Sequence, residues 1–297
     1  MEDDAELPHW SRTYASYAAR FKNPYVLQLT PTVQVELLQA PCVSSQHAKE
    51  ASASADGLCT ASTVWDAGIV LAAHVYNYLT ARKVEAHQQE QQTKFRVLDL
   101  GSGTGIVGLA AAASGACERV VLTDLPSVVP LLQRNAEHNA AAVEATDILP
   151  LALAWDDTSA LRSVAAHGPF DLILGGDLLY RTQVVEPLLT ALHALSGKET
   201  AILLAASLGH SPETLKLFAA RAAEAGFRAE WLDASAQQQG EAFASAEVRM
   251  LRMRRVRQTS DGKKKKKQKH QQGGSGSTSS GKKPRREQDG GSSKPDG

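Results

Sequence analysis

Asp99 stands two residues ahead of three glycines at alternate positions, Gly101, Gly103 and Gly105, in the run RVLDLGSGTG at residues 96–105. Glycine lets a backbone turn tightly and press against a ligand with no Cβ in the way. The usual dinucleotide spacing, G-x-G-x-x-G, aims a helix N-terminus at a pyrophosphate. A carboxylate at this strand end would repel a pyrophosphate and suits a cation. A ligand bearing both an ammonium and a sulfonium group is S-adenosyl-L-methionine, and that is the cofactor expected here. A second acid, Asp124, closes the apolar run at 120–123, one helix further on. One carboxylate can take two hydrogen bonds, so an acid at the end of the second strand can hold both hydroxyls of a ribose. Asp124 could instead cap the following helix, as could Ser127, and the two roles are compatible.

A further constellation lies in FDLILGGDLLY at 170–180, where an apolar strand runs into Gly175 and Gly176, and Asp177 and Tyr180 follow three residues apart. In a doubly wound sheet this strand end lies beside the first strand, at the switch point, so both side chains would face the reactive end of a bound cofactor. A carboxylate and an aromatic ring there can hold a cationic amine by ion pairing and cation–π contact. The alternative is a helix cap followed by a packed tyrosine. Trp65, in TVWDAG at 63–68, reads either as core packing or as a cofactor-lining ring.

The elements that must position these residues alternate along the chain. The apolar run at 96–100 predicts a buried parallel strand, and helical spacing follows at 105–114. The pattern continues with strands at 119–123, near 148–154, at 170–175 and at 199–205. Helices are predicted at 127–138, 184–195 and 212–225, and two last strands, around 227–232 and 247–254, close the sheet. That order implies an α/β fold with a mostly parallel sheet and helices on both faces. Ahead of it, residues 25–40 alternate as a strand pair bent near Thr30-Pro31, 41–58 reads as a loop, and 64–80 has helical spacing. Residues 87–93, HQQEQQT, read as a polar insertion, and no internal repeat is visible.

The 297 residues carry 32 Lys/Arg and 32 Asp/Glu, but the balance is uneven. Residues 259–297 hold 11 basic and four acidic residues, a net of +7, which leaves the body at −7. An acidic body argues against a nucleic-acid groove as the main working surface. The tail combines a lysine run at 263–267 with Gly and Ser and has almost nothing apolar, so disorder is expected. It reads as a nuclear-localisation or polyanion-binding arm, or as a solvated tail without consequence. The expected organisation is a disordered N-terminus at 1–24, a catalytic domain at 25–258 and a disordered basic tail at 259–297. Three cysteines (Cys42, Cys59, Cys117) without C-x-x-C spacing fit a reduced intracellular protein and no zinc site. The acidic start MEDDAELPHW does not read as a secretory signal, and no apolar run has the length of a membrane span.

Taken together, VLDLGSGTGIVGL, VVLTDL, the Trp155 after the third strand, LILGGDLLY and TVWDAGIVLAAHV resemble the seven-β-strand, non-SET protein-lysine methyltransferases. The likeness spans about residues 25–257 and points to the branch that includes the methyltransferase of valosin-containing protein. It implies the Rossmann-like class I methyltransferase fold with a seven-stranded sheet. It also implies roles: Trp65 packs beside the cofactor, Gly101, Ser102 and Gly103 hug its methionine portion, and Asp124 takes the ribose. Trp155 flanks the adenine, Gly176 lines the cofactor site, and Asp177 with Tyr180 shapes a lysine pocket. Relatives often have Glu where this chain has Asp99, which keeps the charge. The loop at 41–58, the insertion at 87–93 and the tail follow no family pattern.

The reaction so implied is in-line methyl transfer from the sulfonium to a neutral lysine ε-amine. The expected substrate is a chaperone, an AAA ATPase or an elongation factor, with the enzyme a monomer of the cytoplasm and the nucleus that uses no metal. Four rivals share parts of the pattern. An amino-directed nucleobase enzyme would show Pro-Pro and an aromatic after the acid, where this chain has Leu178-Leu179; a small-molecule methyltransferase would share the cofactor half. A nicotinamide oxidoreductase would need the other glycine spacing. A non-catalytic module that docks a chaperone would keep the fold without the chemistry.

Overall fold

The apolar runs of the sequence become the strands of one central sheet in the computed structural model, which describes residues 10–12, 20–21, 24–40, 60–90, 94–209, 211–233 and 237–256. The strands are β1 (Tyr25–Gln28), β2 (Gln34–Leu37), β3 (Phe95–Leu100), β4 (Cys117–Asp124), β5 (Asp147–Ala152), β6 (Leu172–Gly176), β7 (Ala201–Ser207), β8 (Phe227–Trp231) and β9 (Val248–Arg255). The helices are α1 (Asp66–Gln88), α2 (Ile106–Ala113), α3 (Val129–His138), α4 (Thr158–Ala165), α5 (Val185–Leu195) and α6 (Pro212–Glu224). β1 and β2 form a separate antiparallel hairpin, and the other seven strands lie in the order β5-β4-β3-β6-β7-β9-β8. The strands β3 to β7 are mutually parallel, and β9 runs antiparallel between β7 and β8.

From β3 the chain first winds outward through β4 to β5, then returns to β6 on the other side. That reversal leaves a crevice at the carboxyl ends of β3 and β6, the usual place for a ligand in such a sheet. Both faces of the sheet are covered. One core joins Leu71, Val75 and Leu79 of α1 and Leu109 of α2 to Val97, Leu122 and Leu174. The other joins Leu161 of α4, Leu188 and Leu192 of α5 and Phe218 of α6 to Leu98, Ile173 and Ile202. Alternate residues along each strand feed opposite cores, so strands such as β4 read as near-continuous apolar runs.

The sequence reading and the structure differ in three places. The helix expected at 64–80 runs on to Gln88, so His87 and Gln88 are helical and not part of an insertion. Its second half, ARKVEAHQ, is exposed but rich in strong helix formers, and Arg82 pairs with Glu85 at 3.0 Å one turn on. The sequence reading had no helix at α4. Asp157 caps that helix, its carboxylate accepting from the Ser159 and Ala160 amides at 2.7 and 3.1 Å, while Leu161 and Val164 face the core. Third, the segment read as a disordered N-terminus contributes packed residues. Trp10 is buried, and its indole N–H donates to the Ala242 carbonyl at 2.6 Å. Ser11 Oγ and the Arg12 amide each donate to Asp66 at 2.7 Å. The loop at 41–58 and the tail at 259–297 lie outside the described residues.

Candidate active site

Three strand ends deliver three carboxylates to one crevice. Asp99 comes from β3, Asp124 ends β4, and Asp177 follows β6 directly. Asp99 is buried, and one carboxylate oxygen, Oδ2, accepts the Gly108 amide of α2 at 3.0 Å. A Cβ on Gly108 would lie 2.2 Å from Leu122 Cδ2, so the glycine is what lets α2 lie close enough for that bond. The other oxygen, Oδ1, is buried with no hydrogen-bond partner. Burial pushes the Asp99 carboxyl up to about 7.

The glycine loop turns through left-handed backbone at Gly101, Gly103 and Gly105, with φ of 59°, 56° and 87°. Side chains there would be strained, and space is short as well. A Cβ on Gly101 would come within 2.7 Å of Leu178 and 3.2 Å of Trp155, and one on Gly103 within 3.0 Å of the Ala61 carbonyl. Ser102 ties the loop to the sheet. Its hydroxyl donates to the Asp99 carbonyl at 2.9 Å and accepts the Thr123 amide at 3.0 Å. Asp124 does the same from β4, with Oδ2 accepting the Gly103 amide at 2.8 Å and Oδ1 the Leu125 amide at 2.7 Å. It caps no helix: α3 begins at Val129, and its capping position, Val128, has no side-chain bond. Burial raises the Asp124 carboxyl above its ordinary value.

Asp177 has a left-handed backbone, φ 57°, a conformation Asp tolerates better than most residues but one that marks a constrained position. Its amide donates to the Ala205 carbonyl at 2.8 Å, and its carboxylate accepts the Ser207 amide at 3.0 Å and the Ser207 hydroxyl at 3.1 Å. The acid is thus fixed to the end of β7 and is not a helix cap. Tyr180 is partly exposed at the rim, with the Arg181 guanidinium 5.7 Å from its ring centroid. Gly176 lets β6 meet α1; a Cβ there would sit 3.0 Å from Gly68 Cα. The Trp65 indole donates to the Thr60 carbonyl at 2.7 Å, and the Arg20 guanidinium lies 4.8 Å from its ring centroid.

All ten residues singled out from the sequence line one cavity of about 580 Å³: Trp65, Asp99, Gly101, Ser102, Gly103, Asp124, Trp155, Gly176, Asp177 and Tyr180. The sequence reading did not single out several other lining residues, among them Thr60, Thr63, Leu153, Asp156 and Gln183. Asp156 adjoins Trp155 and Thr63 adjoins the VWDA run, so both sat beside legible motifs. Thr60, Leu153 and Gln183 carry no signal in residue type or spacing. Four carboxylates (Asp99, Asp124, Asp156, Asp177) line the cavity, and the described lining includes no Lys, Arg or His.

Sheet order and site together define a Rossmann-like fold of the class I methyltransferase type. Residues 50–219 match the family described as lysine methyltransferase, and the chain belongs to it. Curated relatives include the protein N-lysine methyltransferase METTL21A of Danio rerio, 33% identical over 147 residues, covering 50% of this chain and 61% of the relative. EEF1A lysine methyltransferase 3 of Xenopus tropicalis is 29% identical over 164 residues, covering 54% of this chain and 64% of the relative. METTL21A of Mus musculus is 32% identical over 157 residues, covering 53% and 65%. The chain thus spans somewhat under two thirds of the length of these relatives.

Proposed function

We propose that this protein is a protein-lysine N-methyltransferase that takes its methyl group from S-adenosyl-L-methionine. The observation that carries the reading is the cavity lined by four carboxylates, with no Lys, Arg or His among its described lining residues. Such a site favours a cationic cofactor and a cationic substrate amine, and disfavours a dinucleotide pyrophosphate. Its volume lies in the range of small-molecule sites. The unpaired Asp99 Oδ1 supplies a buried acceptor for the cofactor's ammonium group, and the left-handed turn through Gly101 and Gly103 forms part of the cavity wall. Asp124 takes the ribose hydroxyls, Trp155 flanks the adenine, and Trp65 and Gly176 close the walls.

The bound cofactor would supply an electrophilic methyl on a sulfonium. The chain's own part is mainly positioning, because nucleophile, methyl carbon and sulfur must lie in one line. Asp177, held by Ser207, orients the amine, and the Tyr180 ring offers a cation–π face at the rim. The lysine must lose its proton before transfer. Its pKa falls on desolvation next to a cation, and the proton leaves to water or to Asp177. No described group of His, Cys, Asp and Glu is arranged to hold a metal, and this mechanism calls on none.

One relative's name specifies EEF1A as its target. We extend that to this chain as an elongation-factor substrate, to which the family resemblance of the sequence adds chaperones and AAA ATPases, met in the cytoplasm and nucleus by a monomer. The tail at 259–297 would contact polyanions or import factors. No described helix is long and apolar enough to cross a membrane. Calorimetry tests the cofactor half: S-adenosylhomocysteine should bind, and Asp124→Ala should weaken it by roughly 1–3 kcal/mol through unmade charged hydrogen bonds. NAD binding with equal or better affinity would overturn the reading.

A further inference from the structure

Two asparagines one turn apart, Asn135 in α3 and Asn139 at its C-cap, grip the N-terminal hairpin as a neighbouring strand would. Asn139 Oδ1 accepts the Glu36 amide at 2.9 Å while its Nδ2 donates to the Glu36 carbonyl at 2.8 Å. Asn135 repeats the pattern two residues along, accepting the Leu38 amide at 2.8 Å and donating to the Leu38 carbonyl at 3.1 Å. A side-chain amide presents one acceptor and two donor hydrogens, so each asparagine has one hydrogen to spare. Asn139 spends its second on the Asn135 carbonyl in its own helix, at 2.7 Å. Asn135 sends its second into the glycine loop, to the Thr104 carbonyl at 2.8 Å. Thr104 is buried, lies between the left-handed Gly103 and Gly105, and lines the cavity. Asn135 itself has no exposed surface, so a lost bond there would not be replaced by water.

We propose that Asn135 is a positioning residue for cofactor binding, which sets the glycine loop by its bond to Thr104 and couples that loop to the β1–β2 hairpin. Asp124 and Ser102 hold the loop on the sheet side, and Asn135 holds it on the hairpin side. The hairpin thereby becomes part of the cofactor site without touching the ligand. This rests on the reading of the cavity as a cofactor site, but the bond to Thr104 can be tested without any cofactor.

Asn139 provides the matched control, since it makes the same pair of hairpin bonds and none to the loop. Asn135→Asp and Asn139→Asp each replace the NH2 donor with a carboxylate oxygen that faces two carbonyls. Both should lower the melting temperature through the hairpin. Hydrogen exchange of the ligand-free full chain separates them: Asn135→Asp should speed exchange in the 101–105 segment about tenfold, with Asn139→Asp close to wild type. The dissociation constant for S-adenosylhomocysteine should rise by about the same factor in Asn135→Asp alone. Equal exchange in the loop for both variants, raised or not, overturns the proposal and leaves Asn135 a hairpin clasp only. A wild-type chain that binds no S-adenosylhomocysteine overturns the cofactor reading, whatever the exchange shows. Should Asn135→Asp not fold, Asn135→Ser is compared with Asn139→Ser by the same criterion.

Discussion

Asp99 carries the most distinctive chemistry of any single residue in the cavity. Its carboxyl sits at about 7 because burial disfavours the charge, although Gly108 donates to one oxygen. An ammonium group binds the ionised form, so below pH 7 binding must first expel a proton. Affinity for S-adenosylhomocysteine should therefore weaken as pH falls from 8 to 5.5, approaching tenfold per unit at the acid end. Asn at this position should bind weakly with little pH dependence, which calorimetry at several pH values would show. The stability of the ligand-free protein should move the other way. Between the ordinary value of 3.8 and about 7, the folded chain holds this proton and the unfolded chain has released it. Raising the pH through that window therefore costs stability. The melting temperature of the ligand-free protein should fall relative to Asp99→Asn as pH rises from 5 to 8. A constant difference between the two would show that Asp99 titrates normally.

At the scale of elements, the contact between α2 and the sheet is what places Asp99. The α2 sequence IVGLAAAA is apolar all round and packs between α1 and β4, as expected of a helix with no solvent face. Gly108 is its closest point. Gly108→Ala removes a flexible residue from a helix, which alone would stabilise, but the new methyl would fall 2.2 Å from Leu122. Overpacking should win, with a net loss of about 1–3 kcal/mol in denaturant unfolding and weaker cofactor binding as α2 moves off Asp99. A variant as stable as wild type would mean the helix has slack. Gly108 also illustrates what the sequence concealed. The glycines of the loop were legible because their spacing is a motif, and Asp177-x-x-Tyr180 because it follows an apolar strand. A single glycine inside a helical run has no such frame, and its reason is a neighbour on another strand. The Asn135–Leu38 bonds span 97 residues and left no trace in local spacing. The α4 helix was legible in principle, from the Asp157 cap and the spacing of Leu161 and Val164.

For the molecule as a whole, the charge asymmetry separates two materials in one chain. The acidic body contains the sheet and the site, while residues 259–297 carry the dense basic run and almost no apolar side chains. Such a segment has little to bury. Deleting 259–297 should leave the melting temperature and cofactor affinity unchanged, while weakening any salt-sensitive association with polyanions. A truncated chain that fails to fold or loses cofactor affinity would place the tail within the domain. The N-terminal side is different in kind. Trp10, Ser11 and Arg12 dock on α1 and on the segment before β9, so truncation there should destabilise the body.

The central claim is that one carboxylate-lined cavity brings S-adenosyl-L-methionine and a lysine side chain together, with Asp177 orienting the amine. The direct measurement is transfer of labelled methyl from the cofactor to cell-extract proteins, with the labelled residue identified by mass spectrometry. Wild type and Asp177→Ala are compared after both are shown to fold and to bind S-adenosylhomocysteine alike. The account predicts label on a protein lysine with wild type and a large loss with Asp177→Ala, chiefly in the chemical step. Label confined to small molecules or nucleobases, or an Asp177→Ala variant that methylates protein at the wild-type rate, would contradict it.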